Sequence, residues 1–223
     1  MRHFKFSDIL IGILFTLLFI SIAVVFTINF RPLYYMDIDY LNIEAVSGID
    51  RADILANYNA LIDYSSPFFT GPLQFPTLEA SQFGLQHFAE VKNIFVSFYI
   101  LGAVTLAIGA AIVIYKARNR DYSYLPVSAV TAIVLPLLLG LYIAIDFDRA
   151  FLIFHKICFR NDYWIFDPVT DPVIMILPEE FFMHSAILII AIVLLFSASF
   201  IGIYIRKKNR SGIKYRRNKG LRL

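Results

Sequence analysis

The stretch ILIGILFTLLFISIAVVFTINF, residues 9–30, is the first of four apolar runs that decide the fold of this chain. It carries no charged residue, and about 20 consecutive apolar residues are enough to cross ~30 Å of hydrocarbon as an α-helix. Three further uncharged runs of similar length occupy residues 94–115, 125–145 and 185–205. The sequence therefore predicts an all-α membrane protein with four transmembrane helices.

The composition supports a membrane protein rather than a soluble one. The 223 residues are 59% hydrophobic, with a mean hydropathy of +0.68, which is too apolar for a soluble domain of this size. The first apolar run is longer than that of a signal peptide, and Asn29, Phe30, Arg31 and Pro32 follow it instead of a small-residue cleavage site. We therefore interpret residues 1–223 as a single polytopic membrane domain that retains this run. One cysteine excludes an intramolecular disulfide framework.

The distribution of charge predicts the orientation in the membrane. The N-terminus, the loop 116–124 and the basic tail 206–223 hold 14 basic residues and only two acidic ones, whereas the remaining segments hold six basic and 15 acidic residues. By the positive-inside rule both termini are cytoplasmic, and the segments 31–93 and 146–184 lie outside. The tail fits either a contact with anionic lipid or a simple topology anchor. The net charge of +3 gives no indication of nucleic-acid binding.

The first outer segment contains amphipathic or interfacial helices. Within residues 54–62, apolar side chains recur at helical spacing: Ile54, Leu55, Tyr58, Leu61 and Ile62. Such a helix either lies on the membrane or packs on the helix bundle. After a proline-rich stretch, Thr77 is expected to cap a further helix that continues into the second span.

A histidine lies on that helix just before the second apolar run. His87 and Glu90 are three residues apart, so they share a helix face and the carboxylate can orient the imidazole. Histidine is the side chain whose ordinary pKa permits proton transfer near neutral pH. The alternative is a solvated histidine on a helix surface. The approach of this helix to the bilayer makes a polar pair costly and favours a functional role.

The second outer segment contains another histidine, followed by a polar and aromatic cluster. His155 precedes Arg160, Asn161, Asp162, Trp164, Asp167 and Asp171. In this cluster Asp162 and Asp167 are candidates to orient an imidazole. Arg160, Asn161 and backbone N–H groups are candidates to stabilise an oxyanion. Trp164 is a candidate interfacial anchor, and a proline-rich acidic surface loop is the alternative for the whole cluster.

Other chemistries have weaker support in the sequence. Cys158 follows His155 by three residues, which permits a histidine-activated thiol, but no other neighbour would lower the pKa of that thiol. A metal site built from His87, His155 and carboxylates is possible without any local metal-binding signature. His184 begins the fourth span and is interpreted as an interfacial residue. No nucleophile elbow, phosphate loop or dinucleotide fingerprint is present, so the sequence predicts no cofactor.

The two histidine-bearing segments carry a family resemblance. FGLQHFAEVKNIF (83–95) and FHKICFRNDYWIFDPVTDPVIMILPEEFF (154–182) resemble segments of small four-helix bacterial membrane proteins that include the lipoprotein intramolecular transacylase. The resemblance covers nearly the whole chain. It implies an acyltransferase that moves the sn-2 acyl chain of a diacylglyceryl-modified lipoprotein to the α-amine of its own lipidated cysteine, giving the lyso form.

The same resemblance implies roles and a location. His87 and His155 match the two histidines of the family, which implies histidine acid/base catalysis at the outer face of the bacterial cytoplasmic membrane. Diacylglyceryl lipoproteins and membrane lipids are then the expected partners. The residues also leave two other functions open: a non-catalytic scaffold that binds a lipid or peptide, and a metal-dependent membrane hydrolase.

Overall fold

The computed structural model describes residues 5–220, apart from the side chains of Leu135 and of residues 210–220. The side chains of most of the basic tail, and with them the expected lipid contact, lie outside this description. Within the described residues all regular structure is helical. The helices, in chain order, are α1 Phe6–Asn29, α2 Arg31–Tyr40, α3 Ile43–Ser47, α4 Arg51–Tyr64, α5 Gln82–Arg118, α6 Tyr124–Ile145, α7 Phe147–Cys158, α8 Val173–Ile176 and α9 Glu179–Gly220.

Four helices are long and apolar enough to cross a membrane: Phe6–Asn29, Gln82–Arg118, Tyr124–Ile145 and Glu179–Asn209. The prediction of an all-α protein with four transmembrane helices is therefore confirmed. Helix α5 has 37 residues, so it is about 55 Å long at ~1.5 Å per residue. That length exceeds the hydrocarbon thickness of ~30 Å. Its first three turns, which precede the apolar run, are therefore available to carry a polar site.

The chain forms two compact units, each with its own core. The first unit is drawn from Met1–Ser21, Leu101–Leu138 and Ile190–Leu223. Its interior contains aromatic rings in contact, with Phe15 and Phe200 at a centroid distance of 4.9 Å and Phe19 and Phe196 at 5.1 Å. The Lys116 ammonium lies 3.2 Å from Asp8 and 3.1 Å from Asp121. Both acidic residues of the segments that the charge pattern assigns to the cytoplasm therefore pair with one lysine.

The second unit, Ile22–Ile100 with Leu139–Ile189, contains both outer segments. Its core joins residues of α2, α4 and the region around α8. The Tyr34 and Tyr58 rings stack at 3.7 Å between centroids, and the Tyr34 hydroxyl donates to the carbonyl oxygen of Ile176 at 2.6 Å. Ile54 on α4 is fully buried in this cluster. Helix α4 is the amphipathic helix expected in the first outer segment. It packs on other parts of the protein, which is one of the two predicted alternatives.

The expected helix start at Thr77 is wrong. The buried side chain of Asn57 binds Thr77 instead, since its amide donates to the threonine hydroxyl at 2.6 Å and its carbonyl accepts from the Thr77 backbone N–H at 3.2 Å. Helix α5 begins five residues later, at Gln82. There the Ser81 hydroxyl accepts from the Gly84 N–H at 3.0 Å and satisfies one of the free donors of the first turn.

Candidate active site

His87 lies in the second turn of α5, within an aromatic surround. The imidazole is 4% exposed, and its Nδ1 atom is buried without a hydrogen-bond partner among the described residues. The rings of Phe159 and Phe166 approach it edge-on, at centroid distances of 4.7 and 5.5 Å. A buried imidazole nitrogen without a partner is energetically costly, which is typical of a functional position.

His155 is held by the backbone of its own helix. Helix α7 begins where the Asp146 carboxylate accepts from the Arg149 N–H at 2.9 Å, and His155 lies in its last turn. The Nδ1 atom of His155 is 2.8 Å from the carbonyl oxygen of Phe151. Because a carbonyl only accepts, Nδ1 carries the proton and Nε2 has a free lone pair. Burial lowers the pKa of His155, and the hydrogen bond to Phe151 opposes this only in part.

The structure brings the two histidines together. Their ring centroids are 6.0 Å apart, although the residues are 68 positions apart in the sequence. Phe159 packs against both rings, at 4.7 Å from His87 and 5.6 Å from His155. The second unit therefore contains two imidazoles near enough to act on one small group.

Glu90 does not orient His87 as the helix spacing suggested. Both of its carboxylate oxygens accept from the Asn161 side-chain amide, at 3.0 and 3.2 Å. The group that orients an imidazole here is the Phe151 carbonyl, which binds His155. This difference arises because the Asn161 amide, from a distant segment, lies within hydrogen-bond distance of both carboxylate oxygens of Glu90.

Asn161 and Trp164 organise the loop that covers His155. The Trp164 indole N–H donates to the carbonyl oxygen of Asn161 at 3.1 Å, and the indole ring lies 4.8 Å from the imidazole of His155. Trp164, expected as an interfacial anchor, therefore packs against a candidate catalytic residue. Asn161 links this indole to Glu90 on α5.

The three candidate aspartates Asp162, Asp167 and Asp171 have separate surroundings. The Asp171 carboxylate accepts from the Ser81 N–H at 2.8 Å and so fixes the start of the helix that carries His87. Asp167 accepts from the Val169 N–H at 2.9 Å within its own loop, and Asp162 is exposed. Neither of the latter two contacts an imidazole in the described residues. Arg160 is exposed and forms no ion pair there.

A family sequence model of the lipoprotein intramolecular transacylases matches residues 9–182. The chain belongs to the lipoprotein intramolecular transacylase family. Three solved structures of the membrane-integral transacylase from Bacillus cereus agree with this assignment. The first has a TM-score of 0.89 and 36% sequence identity, and the match covers 93% of this chain and 98% of that one.

The other two structures are variants of the Bacillus cereus transacylase in which one histidine is replaced. The arginine variant has a TM-score of 0.82 and the alanine variant 0.83; each is 36% identical and covers 93% of this chain, with 95% and 96% of those chains covered. A comparison with curated protein sequences gave no significant match. This family member is thus a bacterial integral membrane transferase of the lipoprotein-modifying class.

A recess opens beside the histidine pair of this transacylase family member. It has a volume of about 330 Å³ and is lined by Glu90, Asn93, Ile94, Cys158, Phe159, Arg160 and Asn161. Phe159, which contacts both imidazoles, forms one of its walls. The contact of Phe159 with both imidazoles was not identified from the sequence, although the density of Phe residues between positions 147 and 166 is a signal that could have indicated it.

Cys158 and His184 have other surroundings than the histidine pair. Partial burial raises the pKa of the Cys158 thiol, which opposes its use as a thiolate nucleophile. The Nδ1 atom of His184 lies 2.8 Å from the carboxylate of Asp37, a contact that local sequence does not reveal because 147 positions separate the two residues. The described residues contain no cluster of three or more His, Cys, Asp or Glu side chains suited to a metal ion.

Proposed function

We propose that this protein moves the sn-2 acyl chain of an S-diacylglyceryl-cysteine lipoprotein to the α-amine of the same cysteine, at the outer face of the bacterial cytoplasmic membrane. The product is the N-acyl, S-monoacylglyceryl lyso form. One observation carries the proposal: two buried imidazoles with ring centroids 6.0 Å apart, in a chain of the transacylase family.

The substrate supplies both reacting groups, which explains why no enzyme nucleophile is needed. The α-amine attacks the ester carbonyl of its own glyceryl group, forming the amide bond and releasing the sn-2 glycerol oxygen. Holding the two groups together gives effective molarities of about 10⁵ M or more. The enzyme has only to align them and to move protons.

The two imidazoles account for the proton movements. The amine has an ordinary pKa of about 7.7–8.0 and attacks as the neutral form. His155, whose Nε2 lone pair is free, accepts the proton that the amine loses on attack. The proton passes from His155 to His87, which then donates it to the departing alkoxide, so both histidines begin and end the cycle neutral. Over the whole cycle, one proton moves from the α-amine nitrogen of the substrate to its sn-2 glycerol oxygen.

Arg160 is the candidate for stabilising the oxyanion of the tetrahedral intermediate. This residue lines the recess, and its guanidinium has no ion-pair partner among the described residues. Asn161, the other candidate from the sequence, already donates its side-chain amide to Glu90. Asn161 and Trp164 are therefore proposed as positioning residues for Glu90 and His155, and Asp171 for the start of α5.

The proposal is tested with purified protein and a diacylglyceryl lipopeptide in detergent micelles. Mass spectrometry of the product, with fragmentation at the N-terminal cysteine, distinguishes an N-acyl, S-monoacylglyceryl product from unreacted substrate of the same mass. Conversion by the wild-type protein, sustained in the presence of a chelator, is expected. A lack of conversion would favour a lipid- or peptide-binding scaffold, and loss of conversion with chelator would favour metal-dependent chemistry.

A further inference from the structure

Glu90 presents a carboxylate to the recess without a cationic partner. Its two oxygens share a single donor group, the Asn161 side-chain amide, at 3.0 and 3.2 Å. An ionised carboxylate offers about four lone-pair sites, so acceptor capacity remains. No lysine, arginine or histidine forms an ion pair with Glu90 in the part of the chain that the structure describes.

This carboxylate lies beside the histidine pair. Glu90 follows His87 by one helical turn on α5, and both Glu90 and Phe159 line the recess. Phe159 also packs against both imidazoles. A group bound by Glu90 therefore lies in the recess that has Phe159 as one wall, and Phe159 is the residue that connects this recess with the two imidazoles proposed to move protons.

We propose that Glu90 binds the α-amino group of the lipidated cysteine and makes the enzyme specific for a free N-terminus. This inference rests on the proposed function, because it identifies the amine that the acyl chain joins. At neutral pH the group arrives largely as an ammonium, which complements a carboxylate. The ammonium releases one proton to solvent before attack, and the neutral amine that attacks keeps two N–H bonds, so the contact with Glu90 persists through deprotonation.

The positive charge of Arg160 is consistent with binding of the α-amino group at Glu90. Arg160 also lines the recess and disfavours an ammonium on its own side. The amine is therefore directed to Glu90, while the carbonyl oxygen of the ester is directed to the guanidinium. In this arrangement Glu90 binds the α-amino group, and Arg160 binds the carbonyl oxygen of the ester.

The test uses a non-transferable ligand so that binding is separated from chemistry. The probe is a dialkylglyceryl-cysteine lipopeptide with ether in place of ester linkages, prepared with a free α-amine and with an N-acetyl group. Each is used as a competitive inhibitor of transfer by the protein in micelles. We expect the wild type to prefer the free-amine probe by about 10-fold, the scale of one charge-assisted contact at a partly exposed site.

Glu90→Gln is the informative variant because its side-chain oxygen still accepts from Asn161. We expect this variant to bind the two probes equally, and to raise KM for the ester substrate more than it lowers kcat. Glu79→Gln is the matched control, since Glu79 is exposed and its side chain forms no hydrogen bond or ion pair in the described residues; it should keep the wild-type preference.

Two results would overturn the role of Glu90. One is a wild-type protein that binds both probes equally, which requires no variant to fold. The other is a Glu90→Gln variant that retains the preference. Either result leaves the proposed function intact if the wild type still converts the ester substrate, whereas absence of conversion alone refutes the proposed function.

Discussion

At the scale of single residues, the two histidines have different resting states. The proton of His155 is fixed on Nδ1 by the Phe151 carbonyl, which leaves Nε2 as a base. His87 has a buried Nδ1 atom with no partner in the described residues. This asymmetry supports separate roles, a proton acceptor and a proton donor, within one pair.

The first prediction concerns that pair. His87→Gln and His155→Gln should each lower the transfer rate by about 100-fold or more, since glutamine keeps hydrogen bonding but cannot exchange protons near neutral pH. The double variant should lose little more than either single one, because catalytic groups that act as a unit are non-additive. The measurement is the initial rate of lyso-product formation by mass spectrometry.

His184→Gln provides the matched control for the histidine pair. His184 pairs with Asp37 rather than with either imidazole, and glutamine can keep that contact. This variant should retain most of the transfer rate. Near-normal transfer by His87→Gln or His155→Gln would show that the residue concerned is structural.

The second prediction concerns the titration of His155. Burial lowers its pKa in the folded protein below the ordinary value of 6.5. Above pH 6.5 the imidazole is neutral in both folded and unfolded states. As the pH falls below 6.5, the unfolded state takes up the proton first, so the folded state loses stability until its own lower pKa is passed.

NMR titration of ¹³C-labelled histidine in micelles tests this prediction. The signal that disappears in His155→Gln should titrate with a midpoint below pH 6.5. His155 would then remain a neutral base at pH 6.5. A midpoint at or above that value would contradict the effect of burial at this position.

At the scale of helices and loops, the histidine pair depends on how α5 begins. The Ser81 N–H and the Asp171 carboxylate join the N-terminus of α5 to the loop before α8, at 2.8 Å. Gly84 leaves space for that contact, since a Cβ atom there would lie 2.2 Å from an Asp171 carboxylate oxygen and 3.1 Å from the Phe166 ring. The loop and the helix therefore meet at a position where only glycine fits.

The third prediction follows from this close approach. Gly84→Ala should lower stability by about 1–3 kcal/mol, because Asp171 is displaced from Ser81 within a buried contact. Transfer should fall as well, since His87 lies one turn further along α5. Thermal unfolding in micelles and the initial transfer rate are the two measurements.

Gly202→Ala is the control for Gly84→Ala. A Cβ atom at Gly202 would meet no atom within 4 Å, so stability and transfer should be unchanged. If the two alanine variants have the same thermal stability and the same transfer rate, the contact between α5 and the loop adjusts to the added methyl group without loss of either.

At the scale of the whole molecule, the charge pattern predicts the sidedness of the proposed reaction. Both predicted cytoplasmic carboxylates, Asp8 and Asp121, pair with Lys116, and Asp121 also lies 3.9 Å from the Lys5 ammonium. Two carboxylates in these segments are nevertheless far fewer than their 14 basic residues. The 15 acidic residues of the other segments all lie in the second unit, which also contains the histidine pair.

The fourth prediction is topological. Alkaline phosphatase, which is active only outside the cytoplasm, should be inactive when fused after Leu223 and active when inserted within residues 60–75. The reason is the excess of Lys and Arg in the N-terminus, the loop 116–124 and the tail. The reverse pattern of activity would place the histidine pair on the cytoplasmic side and refute the proposed location.

The sequence by itself determined the membrane class, the four helices and the family. Each of these follows from local composition or from contiguous motifs, since a run such as 9–30 requires a helix in lipid whatever its neighbours are. The sequence also singled out His87 and His155, because each lies among carboxylates and aromatic residues close to a span. Their role as one acid/base pair remains a prediction from that pattern.

Only the tertiary structure decided which partners these residues have. Glu90 binds Asn161, 71 positions away, rather than its helix neighbour His87. Thr77 binds the buried Asn57 and so does not start a helix. The physical reason is common to both cases. A buried or half-buried polar group takes the partner that best satisfies it, and that partner comes from a segment which local spacing cannot identify.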